Sequence, residues 1–502
     1  MSVAVASVDD SLHDRRSMAV AAPSARTDAL LHGPIIWTLV RLASPNILVM
    51  LAQASTGLIE TYFVARLGTD ALAGMALAFP AIMLMQMISA GSMGGGISSA
   101  IARAIGAGRR DEADALVLHG IVIHLVLGLF FSIVMLAFGT PIYRALGGRG
   151  GELEAAVTYS NVVFAGNVLL WILNALASAI RGTGNMLVPA LVMALGVVVL
   201  VPLSPCLIFG IGPFPALGIA GGGMALVLFN AAGTATLAWY ILSGRNIARL
   251  RLVPLRWRLV RSIFGVGAWS SISAIQTNVI IAFATALVAS VAGADAVAGY
   301  GTGARLEYLL IPLVFGLGAP LVALIGTNIG AGQQRRALHI GLAGAAIAFA
   351  LTETIGVVTA LFPHAWLALF SRDPAVIAAG STYLRIVGPF YGFFGLGLSL
   401  YFASQGAGRL SWPLFASFLR TVVALGGGYL ALRASGSLGF LFAVLAFGLF
   451  LQGMTILSAV LAGVWFSNGG KSDRPKGVEG MTATRKDLVP TAKIDRAPRK
   501  AI

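Results

Sequence analysis

Residues 115–139 read ALVLHGIVIHLVLGLFFSIVMLAFG, a run with no Asp, Glu, Lys or Arg. About 20 such residues in a helix cross the ~30 Å of hydrocarbon in a bilayer. Comparable runs recur through the chain at roughly 36–65, 70–104, 115–139, 155–180, 186–210 and 216–243, then 262–290, 296–329, 338–362, 375–403, 412–432 and 437–467. In lipid every backbone polar group must be bonded internally, so such runs span as helices. The expected fold is all-α and integral to the membrane, with twelve transmembrane helices. Several runs exceed the minimum length, which implies tilt, kinks or extension past the bilayer.

Composition agrees. Hydrophobic residues make up 58% of the chain and charged residues 11%, with a mean hydropathy of +0.88. A soluble protein has about 45–50% apolar and about 25% charged residues, so a set of soluble domains is excluded, and so is disorder for most of the chain. Cys206 is the one cysteine, which excludes a disulfide scaffold and a cysteine-ligated metal site. His119 and His124, five apart, and His339 and His364 show no metal spacing and read as packing residues. The runs Gly94-Gly95-Gly96 and Gly221-Gly222-Gly223 follow no strand and precede no Lys-Ser/Thr. They make no nucleotide fingerprint or P-loop, and small residues there instead let helices approach closely. With no nucleophile–base–carboxylate constellation either, the chain is read as no enzyme, with no cofactor and no metal.

The net charge of +15 first suggests nucleic acid. Its placement says otherwise. Arg103, Arg109, Arg110, Arg181, six arginines between 245 and 261, Arg335, Arg336 and Arg409 fall on one side of the spans; Arg66, Arg144, Arg149, Arg372 and Arg433 fall on the other. The arginine-rich side is expected to be cytoplasmic and to receive both termini, where it faces an anionic leaflet surface. Residues 1–33 and 468–502, the latter holding all five lysines, read as disordered cytoplasmic tails. Residues 1–33 lack the apolar core of a signal peptide. Arg in place of Lys in the membrane domain, with abundant Ala and Gly, suggests a bacterial inner membrane. The expected unit is a monomer.

The chain also repeats itself. Arg181-Gly182-Thr183-Gly184-Asn185 is matched 224 residues later by Gln405-Gly406-Ala407-Gly408-Arg409, and Ile105-Gly106-Ala107-Gly108 by Ile329-Gly330-Ala331-Gly332 at the same offset. Leu67-Gly68-Thr69-Asp70-Ala71 matches Ala292-Gly293-Ala294-Asp295-Ala296 at 225. Six spans per half leave both halves the same way up, so they are parallel repeats about an axis along the membrane normal. The expected organisation is an N-terminal six-helix lobe at 34–243, a basic linker at 244–261 that reads as an interfacial amphipathic segment, and a C-terminal six-helix lobe at 262–467. Two pseudo-symmetric bundles around a central cavity suit alternating access.

Ser44-Pro45 followed by Gly57-Leu58-Ile59-Glu60-Thr61, together with Arg66-Leu67-Gly68-Thr69, the Ile-Gly-Ala-Gly turn and Arg181-Gly182-Thr183-Gly184-Asn185, resembles the multidrug and toxic compound extrusion (MATE) transporters over about residues 36–467. The resemblance implies a secondary-active exporter of amphiphilic, cationic organic compounds, with Glu60 matching the family's coupling carboxylate.

The residues point to the same carboxylate. Of the nineteen acids only Glu60, Glu307 and Glu353 fall inside apolar spans, where an ionisable group is costly and functional by default. Asn46, Gln53 and Glu60 are spaced by seven and Thr56 lies four before Glu60, so they share a polar stripe on the first helix. Pro45 removes an upstream hydrogen bond and permits a bend. Glu60 can then take a proton from one side and release it as the helix bends or a cationic substrate arrives.

Asn167, Asn174 and Arg181, seven apart, with Tyr159 eight before Asn167, offer a companion face on the fourth span, whose two amides are able to ligate a cation, bond Glu60 or hold helices together. The family's Asn and Asp-Pro late in the fifth span correspond here to Leu200 and Ser204-Pro205. A Na⁺ site wants several oxygen ligands, so proton coupling is favoured over sodium. The second half has Thr285 where the first has Glu60, and Trp269 in place of Pro45. Glu307 is read as meeting Arg385 or lining the cavity with Gln276, Arg305 and Tyr383. Glu353, without an obvious partner, reads as structural. Methionines 75, 83, 85, 87 and 93 suit a promiscuous cavity or a packed core equally well. The alternatives are a flippase of lipid-linked precursors, disfavoured because only Arg305 and Arg385 read as buried bases, a membrane-embedded lipid-modifying enzyme, and a channel.

Overall fold

The computed structural model describes residues 24–466; the side chains of 51–56, 58, 294 and 308 are outside that description. Residues 1–23 of the expected N-terminal tail, residue 467 and the whole expected tail at 468–502, and the side chains of Gln53 and Thr56, therefore lie outside the described residues. Among those described there is no strand. Ten helices are long and apolar enough to cross a bilayer, and a bent pair makes an eleventh. The first helix, apolar over its opening Ile35–Met50, completes the twelve. In chain order these are α1 Ile35–Ala65, α2 Thr69–Gly106, α3 Arg110–Ala145, α4 (the pair Gly150–Ala165 and Asn167–Gly182), α5 Leu187–Phe209 and α6 Ile219–Leu242. The second set is α7 Trp257–Gly293, α8 Asp295–Gly330, α9 Gln334–Leu361, α10 Pro374–Ala407, α11 Ser411–Ser435 and α12 Leu438–Leu461.

Local chemistry sets the ends and the irregularities. Asp373 caps α10 through its side chain, accepting from Ala375 N at 2.8 Å, with Pro374 beside it where a missing N–H costs nothing. The halves of α4 meet at Gly166 with a 48° bend. In α2 the stretch Met87–Met93 is a π-helix, an insertion that changes which carbonyls its neighbours can reach. Helix α1 continues through Pro45.

Two sequence expectations need correction. Residues 25–32, assigned to a disordered tail, form the helix Ala25–His32, capped by Ser24 Oγ accepting from Thr27 N at 3.3 Å. Leu30 holds it: the side chain is 2% exposed, lies against Gly184, and Asn328 Nδ2 donates to its carbonyl at 3.1 Å. The linker is not helical before Trp257, which starts α7 five residues ahead of the expected lobe boundary. It runs along α3 instead. Asp114 accepts from Arg249 N at 2.8 Å and pairs with Arg251 at 3.1 Å, and His119 Nε2 accepts from Arg256 N at 2.8 Å. Ala248 is buried while Leu252, Leu255 and Trp257 are exposed.

The repeat is real at the level of contacts. A Cβ at Gly74 would meet Ala155 Cβ at 2.6 Å, and one at Gly299 would meet Ala379 Cβ at 2.8 Å. Gly182 sits on Ser98 Cα and Gly406 on Val322 Cα, so close that a Cβ at either would lie only 3.0 Å from that atom. Gly108 and Gly332 share a left-handed φ, 74° and 76°, as do Gly184 and Gly408, at 79° and 70°. The matched motifs are therefore helix-ending turns that only glycine adopts freely.

The lobes meet at the arginine-rich end with the reciprocity of a two-fold. Gly106 packs against the backbone of Thr327, and its mate Gly330 packs against the backbone of Arg103, the mate of Thr327. Gly94, Gly95 and Gly96 face three different helices, touching Ser178, Gln405 and Ile263 in turn, so the glycine run is a packing device. Met75 and Met85 are buried with Tyr143, Tyr159 and Phe164, while Met83 is 41% exposed. Most of that stripe is core.

Candidate functional site

Glu60 sits one turn before the end of α1 and is 7% exposed. Tyr159, on the first half of α4, donates its hydroxyl to Glu60 Oε1 at 3.4 Å. The third wall is α6: a Cβ at Gly222 would lie 3.3 Å from Glu60 Oε1 and 3.7 Å from the Tyr159 ring. The same imaginary Cβ lies 3.7 Å from Ile208 Cδ1 of α5. Ser204, one turn earlier on α5, is 3% exposed, and its hydroxyl is buried without a protein partner. Three helices thus hold a carboxyl away from water with one long hydrogen bond.

The amide stripe goes elsewhere. Asn174 Nδ2 donates to Ser89 Oγ of the π-turn at 3.0 Å, and Asn167 Nδ2 donates to Gly128 O at 3.1 Å and Ser132 Oγ at 3.4 Å on α3. Of the expected companions only Tyr159 reaches Glu60. Asn167 and Asn174 lie eight and fifteen residues past Tyr159, so helix rise alone carries them about 12 and about 22 Å from it, to the half of α4 beyond the bend at Gly166. Asn46 likewise leaves the expected stripe, donating across the lobe seam to Gly316 O of α8 at 3.2 Å. His124 lies between Gly120 O at 3.0 Å and Ser89 O at 3.2 Å, a packing role beside the π-turn.

A second polar cluster occupies the C-terminal lobe. Tyr383 donates to Glu307 Oε1 at 2.6 Å, and Tyr391 lies 3.5 Å from the Tyr383 hydroxyl. Tyr383 also meets the rings of Tyr300 and Phe442 edge-on. The expected partner Arg385 is exposed, and so is Arg305, which lies over the Phe370 ring at 5.4 Å. Neither is a buried base. A base inside the spans of this lobe is Arg420 of α11, half-buried and donating to Gln452 Oε1 at 3.1 Å. Sequence reading counted only Arg305 and Arg385 as buried bases and passed over Arg420, although it lies inside the apolar run 412–432.

Gln276 on α7 keeps a buried carbonyl oxygen without a protein donor and is not joined to Glu307 by any hydrogen bond among the described residues. Glu353 accepts from Gly392 N at 2.6 Å, just past the 3₁₀ turn at Gly388–Phe390. It replaces a helix bond that the turn disrupts, a structural task. Thr285, at Glu60's place in the second half, bonds back to Ile281 O at 2.8 Å. Among the described residues no three His, Cys, Asp or Glu are grouped as metal ligands.

Comparison with known proteins bears on this geometry. The family model MatE matches residues 45–206 and 270–430, one segment in each lobe. The chain is 31% identical over 420 residues to the FAD transporter of Shewanella oneidensis, covering 81% of this chain and 89% of that protein. It is 27% identical over 390 residues to the probable multidrug resistance protein NorM of Thermotoga maritima, covering 76% and 82%. Among solved structures, an outward-facing multidrug resistance MATE transporter superposes with a TM-score of 0.79 at 25% identity, covering 88% of this chain and 98% of that one.

Proposed function

We propose, for a chain that belongs to the MatE family of multidrug and toxic compound extrusion transporters, that Glu60 couples proton influx to the export of amphiphilic, cationic organic compounds. Membership itself makes the chain a multi-pass membrane transporter that exports small organic compounds on a cation gradient, and no enzyme. The proposal adds the ion, the residue and the substrate charge.

The observation that carries it is the Glu60 pocket. A carboxyl enclosed by α1, α4 and α6, held by one phenol at 3.4 Å, can change protonation without dismantling a network. The oxygens gathered nearby, one carboxylate and the Tyr159 phenol, with Ser204 one turn from Ile208, suit a proton. Na⁺ asks for more oxygen ligands and charge. With the arginine-rich end cytoplasmic, the lobe contacts at Gly106, Thr327, Arg103 and Gly330 close the cytoplasmic side. The conformation is then outward-facing, in a bacterial inner membrane, with the C-terminus returned to the cytoplasm.

The test is efflux of a fluorescent organic cation in inverted vesicles driven by ΔpH, with Glu60→Gln. The amide keeps size and hydrogen bonding but carries no exchangeable acid proton. ΔpH-driven transport is expected to fall to background, while unchanged transport overturns the coupling role.

A second reading has one observation behind it. The Shewanella relative is named for FAD, an anionic aromatic compound, and Arg420 is a half-buried cation on α11 of the C-terminal lobe. An anionic aromatic substrate competing in the same efflux assay, with competition lost in Arg420→Gln, would favour it. The flippase reading has lost its premise, since neither Arg305 nor Arg385 is buried.

A further inference from the structure

Alternating access, on which the proposed function rests, requires the lobes to part at the arginine-rich end once per cycle. We infer that Gln405 is the positioning residue that latches this end shut and sets the balance between the two states.

Gln405 lies on the last turn of α10, is 1% exposed, and spans the seam with one side chain. Its Nε2 donates to Gly91 O of α2, in the other lobe, at 3.1 Å, and to Ser270 Oγ of α7, in its own lobe, at 3.0 Å. The amide lies flat on Gly95 of α2, so close that a Cβ there would overlap it. Ser99 Oγ of α2 donates to the Gln405 carbonyl, and Arg103 Nη1 donates to Gly406 O at 3.1 Å. Gly91 belongs to the π-turn of α2, where the helix ladder is irregular and a carbonyl is left open to an outside donor.

Two features make this a latch instead of a weld. The Gln405 Oε1 is buried with no protein donor, so the amide is half satisfied in the closed state and leaves it at reduced cost. The arrangement is also one-sided. The repeat mate, Arg181, donates to Ser178 Oγ within its own lobe. The pseudo-two-fold that governs the glycine contacts is therefore broken where a release mechanism is needed, and Gln405 reaches the same π-turn that Asn174 and His124 brace from the N-terminal lobe.

The test reads lobe separation directly. In a Cys206→Ser background, spin labels on Leu187→Cys and Arg335→Cys, exposed positions on opposite lobes at the arginine-rich end, report the closed and open populations. Gln405→Met keeps length and packing but removes both donors. The open population is expected to rise about tenfold relative to the closed one, equivalent to about 1.4 kcal/mol. Gly95→Ala is expected to act the same way in the native background by displacing the amide, and to add nothing on top of Gln405→Ala, where its methyl has room. Two populations that Gln405→Met leaves unchanged overturn the latch. So does a Gly95→Ala effect that is equal in both backgrounds. A single separation in every variant and at every pH instead overturns alternating access itself, whatever Gln405 does.

Discussion

Gly222→Ala probes the Glu60 pocket with one added methyl group. Its Cβ would lie 3.3 Å from Glu60 Oε1, slightly inside ordinary contact, and 3.7 Å from both Ile208 Cδ1 and the Tyr159 ring. Backbone on α6 is fixed by the helix, so the carboxyl must give by a few tenths of an ångström. Its hydrogen bond to Tyr159 is already 3.4 Å long, and that displacement carries it beyond bonding distance. Losing a bond of this kind costs about 1 kcal/mol, or about fivefold in any step that depends on it. Stability should move the other way, because Gly inside a helix is destabilising by roughly 0.5–1 kcal/mol relative to Ala. The expected result is a thermal midpoint equal to or above the native one, with ΔpH-driven efflux in proteoliposomes down about fivefold. Gly223→Ala is the control, since its Cβ meets Tyr159 O and Val162 and not the carboxyl. Native efflux in folded Gly222→Ala protein refutes the pocket as described.

Other substitutions separate coupling from scaffolding. Asn174→Ala removes the bond to Ser89 Oγ and should lower the thermal midpoint by an amount equivalent to about 1 kcal/mol. The pH dependence of efflux should stay native; a shifted pH profile would place Asn174 in the coupling machinery. Asp114→Asn weakens the linker's anchor to α3, where Arg251 is 55% exposed and its ion pair is screened. A loss of about 1 kcal/mol in stability, measured by thermal unfolding in detergent with transport per folded molecule retained, is expected. Glu307→Gln keeps an acceptor for the Tyr383 hydroxyl but removes the charge. Protein should fold normally, and a change in which substrate charge is exported, read by competition in vesicles, would mark the C-lobe cluster as a substrate contact.

How much was legible in the sequence follows from what each signal encodes. Span number and the repeat were readable because apolar run length and the glycine turns at 108, 184, 332 and 408 are imposed locally by lipid and by left-handed φ. Glu60 was readable as an acid inside an apolar run, but its bond to Tyr159 was not, since the phenol comes from another helix. Of the roles open to Asn167 and Asn174, holding helices together is the one their bonds to α3 and α2 fill, and the spacing on α4 alone does not select it because the partners sit on other helices. Asn46 misled for a different reason: its partner is a backbone carbonyl on α8, a tertiary contact that no pattern on α1 reveals. The linker's alternation of Arg with apolar residues does not reveal its anchor, the tertiary contact of Arg249 N with Asp114 on α3. The helix Ala25–His32 hid among polar residues, since a single buried leucine, Leu30, is what docks it.

Proton coupling through Glu60 is tested most directly by proton release from purified protein when substrate is added, with and without Na⁺. The account predicts substrate-triggered release that is independent of Na⁺ and absent in Glu60→Gln. Release that persists in Glu60→Gln, or that appears only when Na⁺ is present, would contradict it.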